Sequence, residues 1–159
     1  MKTLICYYSK TGITHKVAHA VREQLVRSGH DVTLLRVERQ HEAGFFRSAW
    51  ESRRKVLPQV IPASLDVGSY DLVIIGFPVW AGSLASPALS LVNALSNLQS
   101  KRVALLSTMK NPTGQKPAMQ LCETLIRERG GVVVMSFEFT PGRQKRLAET
   151  AAEFCASII

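Results

Sequence analysis

The chain has 159 residues, 46% of them hydrophobic and 20% charged, with a formal net charge of +8 at pH 7. A chain of this length buries enough apolar surface to fold without cross-links, so we expect one domain over residues 1–159. Because no apolar run approaches the ~18 residues of a membrane-spanning helix, we exclude a membrane span and expect a soluble protein.

The positive charge favours anionic partners, which include an acidic redox protein, a phosphorylated cofactor, nucleic acid or an acidic membrane surface. The basic residues are dispersed along the sequence and form no single stripe interleaved with aromatic residues. We therefore expect no specific nucleic-acid binding.

The start of the chain and its cysteines predict where the protein works. Residues 1–6 run directly into an apolar strand pattern with no cleavage site for secretion behind it. Cys6, Cys122 and Cys155 lie in apolar surroundings without Cys-x-x-Cys spacing, which is typical of reduced cysteines packed in a core. We expect a cytoplasmic protein.

Five β-rich apolar runs occur in chain order at residues 4–8, 32–37, 72–77, 103–107 and 132–137. Apolar residues at helical spacing separate them, at 17–25, 89–95, 121–126 and 147–154. Parallel strands need crossover connections, and the crossover helices then cover both faces of the sheet. The pattern predicts a three-layer α/β sandwich.

The segment 41–62 fits this alternation less well. Phe46 and Trp50 stand at helical spacing and are followed by the basic triplet Arg53, Arg54 and Lys55 and then by prolines. We interpret the segment as a modified second crossover helix with an extended return. An aromatic stripe at this spacing usually packs in a core, so we expect Phe46 and Trp50 to pack on the sheet and the triplet to be solvated.

A hydroxyl-rich turn follows the first strand, and the next helix begins about there. Ser9, Thr11 and Thr14 alternate around Gly12. A helix N-terminus offers unpaired N–H groups and the positive end of the helix dipole, which together favour a phosphate. We expect a phosphate site here, with Thr14 also placed to cap the helix. The Walker and dinucleotide motifs are absent, which disfavours a nucleotide triphosphatase.

A second loop follows the third predicted strand and carries Trp80 between Pro78 and Gly82. The carboxyl end of a strand in an open parallel sheet is where ligands bind. An indole with small neighbours there can stack on a flat heteroaromatic ring.

Together the two loops resemble those of the flavodoxin family, whose first loop has the form Ser/Thr-x-Thr-Gly-x-Thr and whose second carries an aromatic residue. The resemblance covers nearly the whole chain. It implies a flavodoxin-like fold with a five-stranded parallel sheet of order 2-1-3-4-5 and non-covalently bound FMN. The phosphate would be held by Ser9, Lys10, Thr11, Gly12, Ile13 and Thr14, and the flavin ring by Pro78, Val79, Trp80, Ala81 and Gly82.

The loop after the fourth strand should close the other side of the ring. Its residues in this site are Thr108, Met109, Lys110, Asn111 and Gly114. Electron-carrier flavodoxins are usually more acidic here. A cation favours the negative charge of a reduced flavin, so Lys110 predicts a less negative flavin potential and more two-electron chemistry, unless its side chain points to water.

In such a protein the flavin performs the redox step, so no catalytic side chain or metal is expected. His15, His19, His30 and His41 lack metal-ligand partners in sequence, and we expect them at the surface. The leading function is electron transfer through FMN, with an acidic redox partner protein, or a small acceptor such as a quinone. The alternatives are an NAD(P)H- or quinone-linked oxidoreductase, and a non-redox phosphate-ligand or nucleic-acid module. Phe46 and Trp50 could instead overhang the flavin, and Arg53, Arg54 and Lys55 could steer an acidic donor.

Overall fold

A computed structural model describes residues 1–41, 43–110 and 115–159 of the chain. Its strands are β1 (Lys2–Tyr8), β2 (Asp31–Arg39), β3 (Val60–Ile61), β4 (Leu65–Asp66), β5 (Leu72–Trp80), β6 (Ser83–Leu84), β7 (Leu95–Ser96), β8 (Arg102–Thr108) and β9 (Val132–Phe139). Its helices are α1 (Ile13–Arg27), α2 (Phe45–Arg54), α3 (Ser86–Ala94), α4 (Gln115–Glu128), α5 (Pro141–Lys145) and α6 (Leu147–Ala156).

The main sheet has the strand order β3-β2-β1-β5-β8-β9. Its five long strands β2, β1, β5, β8 and β9 are parallel, which confirms the predicted 2-1-3-4-5 order and the flavodoxin-like fold. The two-residue strands β3 and β6 add antiparallel pairs to β2 and β5. The sequence did not predict them, because two residues are too few to show an alternating pattern.

Side chains of β1 divide between two cores, one on each face of the sheet. Leu4 and Cys6 belong to the core that is shared with α3 and α4, whereas Ile5 and Tyr7 belong to the core shared with α1 and α6. Successive side chains of a strand point to opposite faces, so both faces of this sheet are buried. The three-layer arrangement is confirmed.

The predicted second crossover helix is present as α2, but it presents its aromatic residues outward. Phe46 is 88% exposed and Trp50 is 57% exposed, so the expectation that they pack on the sheet was wrong. Among the α2 side chains that the structure describes, the buried ones are Ser48, Glu51 and Ser52. Neighbouring elements explain this orientation, because they offer hydrogen-bonding groups to these residues, such as the Arg39 guanidinium and the Ser86 N–H.

Two further expectations concerned reduced, buried cysteines and the lack of a membrane-spanning helix. Cys6, Cys122 and Cys155 are free and buried, as predicted, and burial raises the pKa of the Cys6 thiol to about 12. Among the described residues, no helix combines the length and hydrophobicity that crossing a bilayer requires.

Candidate functional site

A cavity of about 590 Å³ lies at the carboxyl edge of the sheet. This volume is within the ~300–1,000 Å³ typical of sites for small ligands and cofactors. Strands β1, β5 and β8 are parallel neighbours, so the segments that follow them meet at this edge. The described lining residues are Lys10, Thr11, Ile13, Ser48, Ala49, Arg53, Pro78, Val79, Trp80, Ala81, Gly82, Thr108, Met109 and Lys110.

The turn after β1 presents a free helix N-terminus to this edge. The first helical hydrogen bond of α1 runs from the Lys16 N–H to the Gly12 carbonyl at 3.0 Å, so the N–H groups of Ile13 and Thr14 have no partner within the helix. Gly12 adopts a left-handed conformation with φ of 84°, and its own N–H donates to Ser9 Oγ at 3.2 Å. The turn can therefore offer main-chain donors to an anion.

The hydroxyls of the turn are used differently from the prediction. Gly12 is the N-cap residue of α1, and no side chain caps the helix, so the capping role expected of Thr14 was wrong. Thr14 Oγ1 instead lies 2.7 Å from Thr108 Oγ1 in a buried hydrogen bond. Ser9 is also buried, and of the three hydroxyl residues of the turn only Thr11 is among the described lining residues of the cavity. Thr14 and Thr108 join the first and third loops.

The loop that carries Trp80 is a β-hairpin. Strand β5 continues past the predicted end at Phe77 as far as Trp80, which pairs with Ser83 of β6. The two turn residues, Ala81 and Gly82, have φ of 48° and 75°, the pattern of the tight turn that suits the twist of antiparallel strands. The hairpin fixes the half-buried indole of Trp80, which packs edge-on against Tyr8 with centroids 5.7 Å apart.

Lys10 connects the phosphate turn to the start of α2. Its Nζ donates to the Ala43 carbonyl at 2.5 Å and to Ser48 Oγ at 3.2 Å, and it lies 5.7 Å from the centroid of the Trp80 ring. Lys10, Arg53 and Lys110 are the cations of the described lining, and no carboxylate occurs among those lining residues. The cavity is therefore electropositive and suited to an anionic ligand.

A second polar cluster lies behind the turn. The Tyr7 hydroxyl and His15 Nδ1 are 2.6 Å apart and share a hydrogen bond, and the rings of His15 and His19 lie 4.3 Å apart. Burial lowers the pKa of His15, and the nearby His19 and Arg36 lower it further. His15 is thus held by a partner, which corrects the expectation that it is only a solvated surface residue.

The structure brings most of the predicted site residues together. The same cavity is lined by Lys10, Thr11 and Ile13, by Pro78 to Gly82, and by Thr108 to Lys110. Ser9, Gly12 and Thr14 are not in the described lining, but their hydrogen bonds link the turn internally and to Thr108. Asn111 and Gly114 lie outside the described residues. Within the described ranges, no group of three His, Cys, Asp or Glu side chains is placed to hold a metal ion.

Residues of β2 and α2 were not predicted from the sequence to belong to the site. The Arg36 guanidinium donates from Nη2 to the Ser9 carbonyl at 3.0 Å and so holds the turn from the neighbouring strand. Ser48, Ala49 and Arg53 line the cavity from α2. A signal for Arg36 existed, because a strand beside β1 must end at the same edge of the sheet.

Comparison with known proteins agrees with this geometry. The family model described as NADPH-dependent FMN reductase matches residues 1–146. A flavoprotein in complex with FMN from Lactobacillus acidophilus is 25% identical, with a TM-score of 0.70 over 86% of this chain and 92% of that chain. Sequence comparison with curated proteins gives no match.

Two flavodoxins share the fold at lower identity. Oxidised flavodoxin 2 from Bacillus cereus is 24% identical, with a TM-score of 0.67 over 99% of this chain and 97% of that one. Two-electron reduced flavodoxin from Megasphaera elsdenii is 20% identical, with a TM-score of 0.60 over 95% and 98%. The match over residues 1–146 places the chain in the NADPH-dependent FMN reductase family, as an FMN-binding redox protein with a flavodoxin-like fold.

Proposed function

We propose that FMN binds in the cavity at the carboxyl edge of the sheet, and that the chain is an oxidoreductase that accepts electrons from NAD(P)H and passes them to a separate acceptor. One observation carries the proposal: a single cavity joins the free N-terminus of α1, the fixed indole of Trp80 and three cations with no carboxylate in its described lining. The site and its roles belong to one domain, residues 1–159, which we propose works in the cytoplasm.

The donor set fits FMN from end to end. The N–H groups of Ile13 and Thr14 and the hydroxyl of Thr11 suit a phosphate, while the indole of Trp80 suits a flat heteroaromatic ring. The turn residues Ala81 and Gly82 also line the cavity, and their main-chain amides suit the polar edge of such a ring. When bound, FMN supplies the redox chemistry, and the protein supplies position and charge.

The cations indicate which reaction partners suit the cavity. Lys110 and Arg53 both lie in the lining of the cavity and are exposed. Positive charge attracts the phosphates of a nicotinamide nucleotide and favours negative charge on a reduced flavin ring. These residues support direct reduction by NAD(P)H and delivery of electrons to small acceptors such as quinones.

Binding of FMN at the turn is tested with two matched glycine variants. Gly12 and Gly29 both have left-handed φ, 84° and 79°, and a Cβ at either would meet no atom within 4 Å. Alanine costs ~1 kcal/mol at such a position, but only Gly12 belongs to the phosphate turn. We expect Gly12→Ala to weaken FMN binding about 10-fold, which corresponds to ~1.4 kcal/mol, and Gly29→Ala to leave it unchanged.

The measurement is quenching of tryptophan fluorescence in a Trp50→Phe background, where Trp80 is the remaining tryptophan. Riboflavin, which lacks the phosphate, should bind more weakly than FMN and should not distinguish Gly12→Ala from the parent. Equal FMN affinity in Gly12→Ala and Gly29→Ala, or absence of quenching by FMN, would contradict the proposed site.

The direction of electron flow is tested by stopped-flow mixing of the FMN-loaded protein with NADPH. Rapid bleaching of flavin absorbance is the expected result. Reduction that occurs only when a separate reductase is added would show a one-electron carrier instead.

Lys110→Glu should lower the flavin potential in a redox titration, and an unchanged potential would show that the Lys110 side chain points to water.

A further inference from the structure

Helix α2 is attached to the protein through its polar residues. The Ser86 N–H at the start of α3 donates to Ser52 Oγ at 3.0 Å, and that hydroxyl donates to the Ser48 carbonyl at 2.8 Å. Lys10 Nζ donates to Ser48 Oγ. Among the side chains that the structure describes, the inward face of this helix is therefore held by hydrogen bonds.

The single carboxylate of α2 is neutralised on that inward face. Glu51 is 3% exposed and accepts from both terminal nitrogens of Arg39, at 2.7 and 3.0 Å, and from Arg47 Nε at 2.9 Å. These bonds lower the pKa of Glu51, and the bonds from Arg39 have the largest effect. No negative charge of α2 is left on the outside of the helix.

The outward side of α2 combines aromatic and basic side chains. We call it the aromatic–basic face, and it consists of Phe46, Arg47, Trp50, Arg53, Arg54 and Lys55. Arg54 lies 6.0 Å from the centroid of the Trp50 ring. Aromatic residues and arginine are the types that protein interfaces concentrate and that contribute most to binding energy.

We infer that the aromatic–basic face is the docking surface for an acidic redox protein, an inference that rests on the proposed function. Charge complementarity selects this occupant, because the face and the whole chain, at +8, are positive. The same charge opposes pairing with a second copy. Ser48, Ala49 and Arg53 of α2 line the cavity, so a protein docked on α2 lies beside the proposed FMN site.

The electron balance of this encounter is simple. With a reduced acidic [2Fe–2S] ferredoxin as the partner, each encounter would oxidise one cluster by one electron and supply that electron to FMN held by the cavity residues. Two encounters would supply the two electrons of a full reduction, and the protons would come from water. The role of the aromatic–basic face is to hold the partner against α2.

Docking is tested first, by calorimetric titration of the FMN-loaded protein with oxidised plant-type [2Fe–2S] ferredoxin of negative net charge. We expect binding that weakens when ionic strength rises from about 20 to about 300 mM. Arg54→Glu and Trp50→Ala should each weaken it at least about 10-fold. The matched control is Arg22→Glu, which makes the same charge change at an exposed site on α1, across the sheet. Absence of binding, or equal binding by Arg54→Glu and Arg22→Glu, overturns the inference.

Electron transfer is tested second, by stopped-flow mixing with reduced ferredoxin. The rate constant should fall in Arg54→Glu and Trp50→Ala, while the rate of direct reduction by NADPH stays at the parent value. Failure of NADPH to reduce the FMN-loaded parent protein would contradict the proposed function alone, because ferredoxin docking is measured without NADPH.

Two further experiments test other occupants of the aromatic–basic face, namely a second copy of the chain and a membrane surface. Sedimentation velocity that shows a dimer dissolved by Trp50→Ala would assign the face to a second copy and overturn the inference. Co-sedimentation with phosphatidylserine vesicles that Arg54→Glu abolishes, with ferredoxin docking unaffected, would assign it to a membrane surface and also overturn it.

Discussion

Helices α1 and α2 both contribute residues to the cavity, but they bury opposite kinds of side chain. Helix α1 buries Val17, Val21 and Leu25 against the sheet, whereas α2 buries Ser48, Glu51 and Ser52 and exposes Phe46 and Trp50. Both show apolar residues at helical spacing. Periodicity therefore identifies a helix but does not show which of its faces points inward, because that depends on the surface against which the helix packs.

The largest expected effect comes from breaking the buried ion pair that holds α2. Glu51→Gln removes the carboxylate that pairs with the buried side chain of Arg39, and loss of one partner of a buried pair costs ~3–5 kcal/mol. The exposed pair Arg146–Glu149 provides the control, since Glu149→Gln should cost under ~1 kcal/mol. Urea unfolding measures both, and equal costs would show that the inward face of α2 does not stabilise the protein.

A direct comparison of the two helices uses their apolar residues. Leu25→Ala removes a fully buried side chain of α1 and should cost ~2–5 kcal/mol. Trp50→Ala removes a larger but exposed side chain of α2 and should cost under ~1 kcal/mol. Thermal unfolding of the two variants decides the order, and a larger loss for Trp50→Ala would mean that the indole packs inward.

A smaller effect is expected where α1 meets the third loop. Thr14→Val breaks the bond between Thr14 Oγ1 and Thr108 Oγ1 and leaves a buried hydroxyl unpaired, at a cost of ~1–3 kcal/mol. A double variant with Thr108→Val removes both hydroxyls and should recover part of the loss. Additive losses in chemical denaturation would show that the two threonines act independently.

The smallest expected effect is the change with pH in how much Glu51 contributes to the free energy of unfolding. The pKa of Glu51 is lowered in the folded chain, so the folded state binds fewer protons and the stabilisation is present above the ordinary carboxyl pKa of 4.5. It is lost as pH falls through the lower folded pKa. The difference in unfolding free energy between the parent and Glu51→Gln should therefore shrink on acidification below that value, and a constant difference would exclude a charged Glu51.

The phosphate turn and the Trp80 hairpin were predicted because each directly follows an apolar strand, and parallel strands end at one edge. Arg36 and Arg53 were missed because β2 and α2 are distant in sequence from both loops. The hydroxyl of Thr14 was assigned to a cap, since a sequence does not show that Thr108 lies beside it. The short pairs of β3 and β6 depend on contacts between segments and have no periodic signal.

The amino-acid pattern alone predicted the five long strands, the main helices between them, their order and the two site loops, because strand and helix patterns and turn residues are local properties of the chain. The tertiary structure decided which face of α2 is inward and which cations share the cavity. Those outcomes depend on neighbours such as Arg39 and Ser86, which offer hydrogen bonds to α2. A buried polar group must find such partners in space, and spacing along one segment does not contain that information.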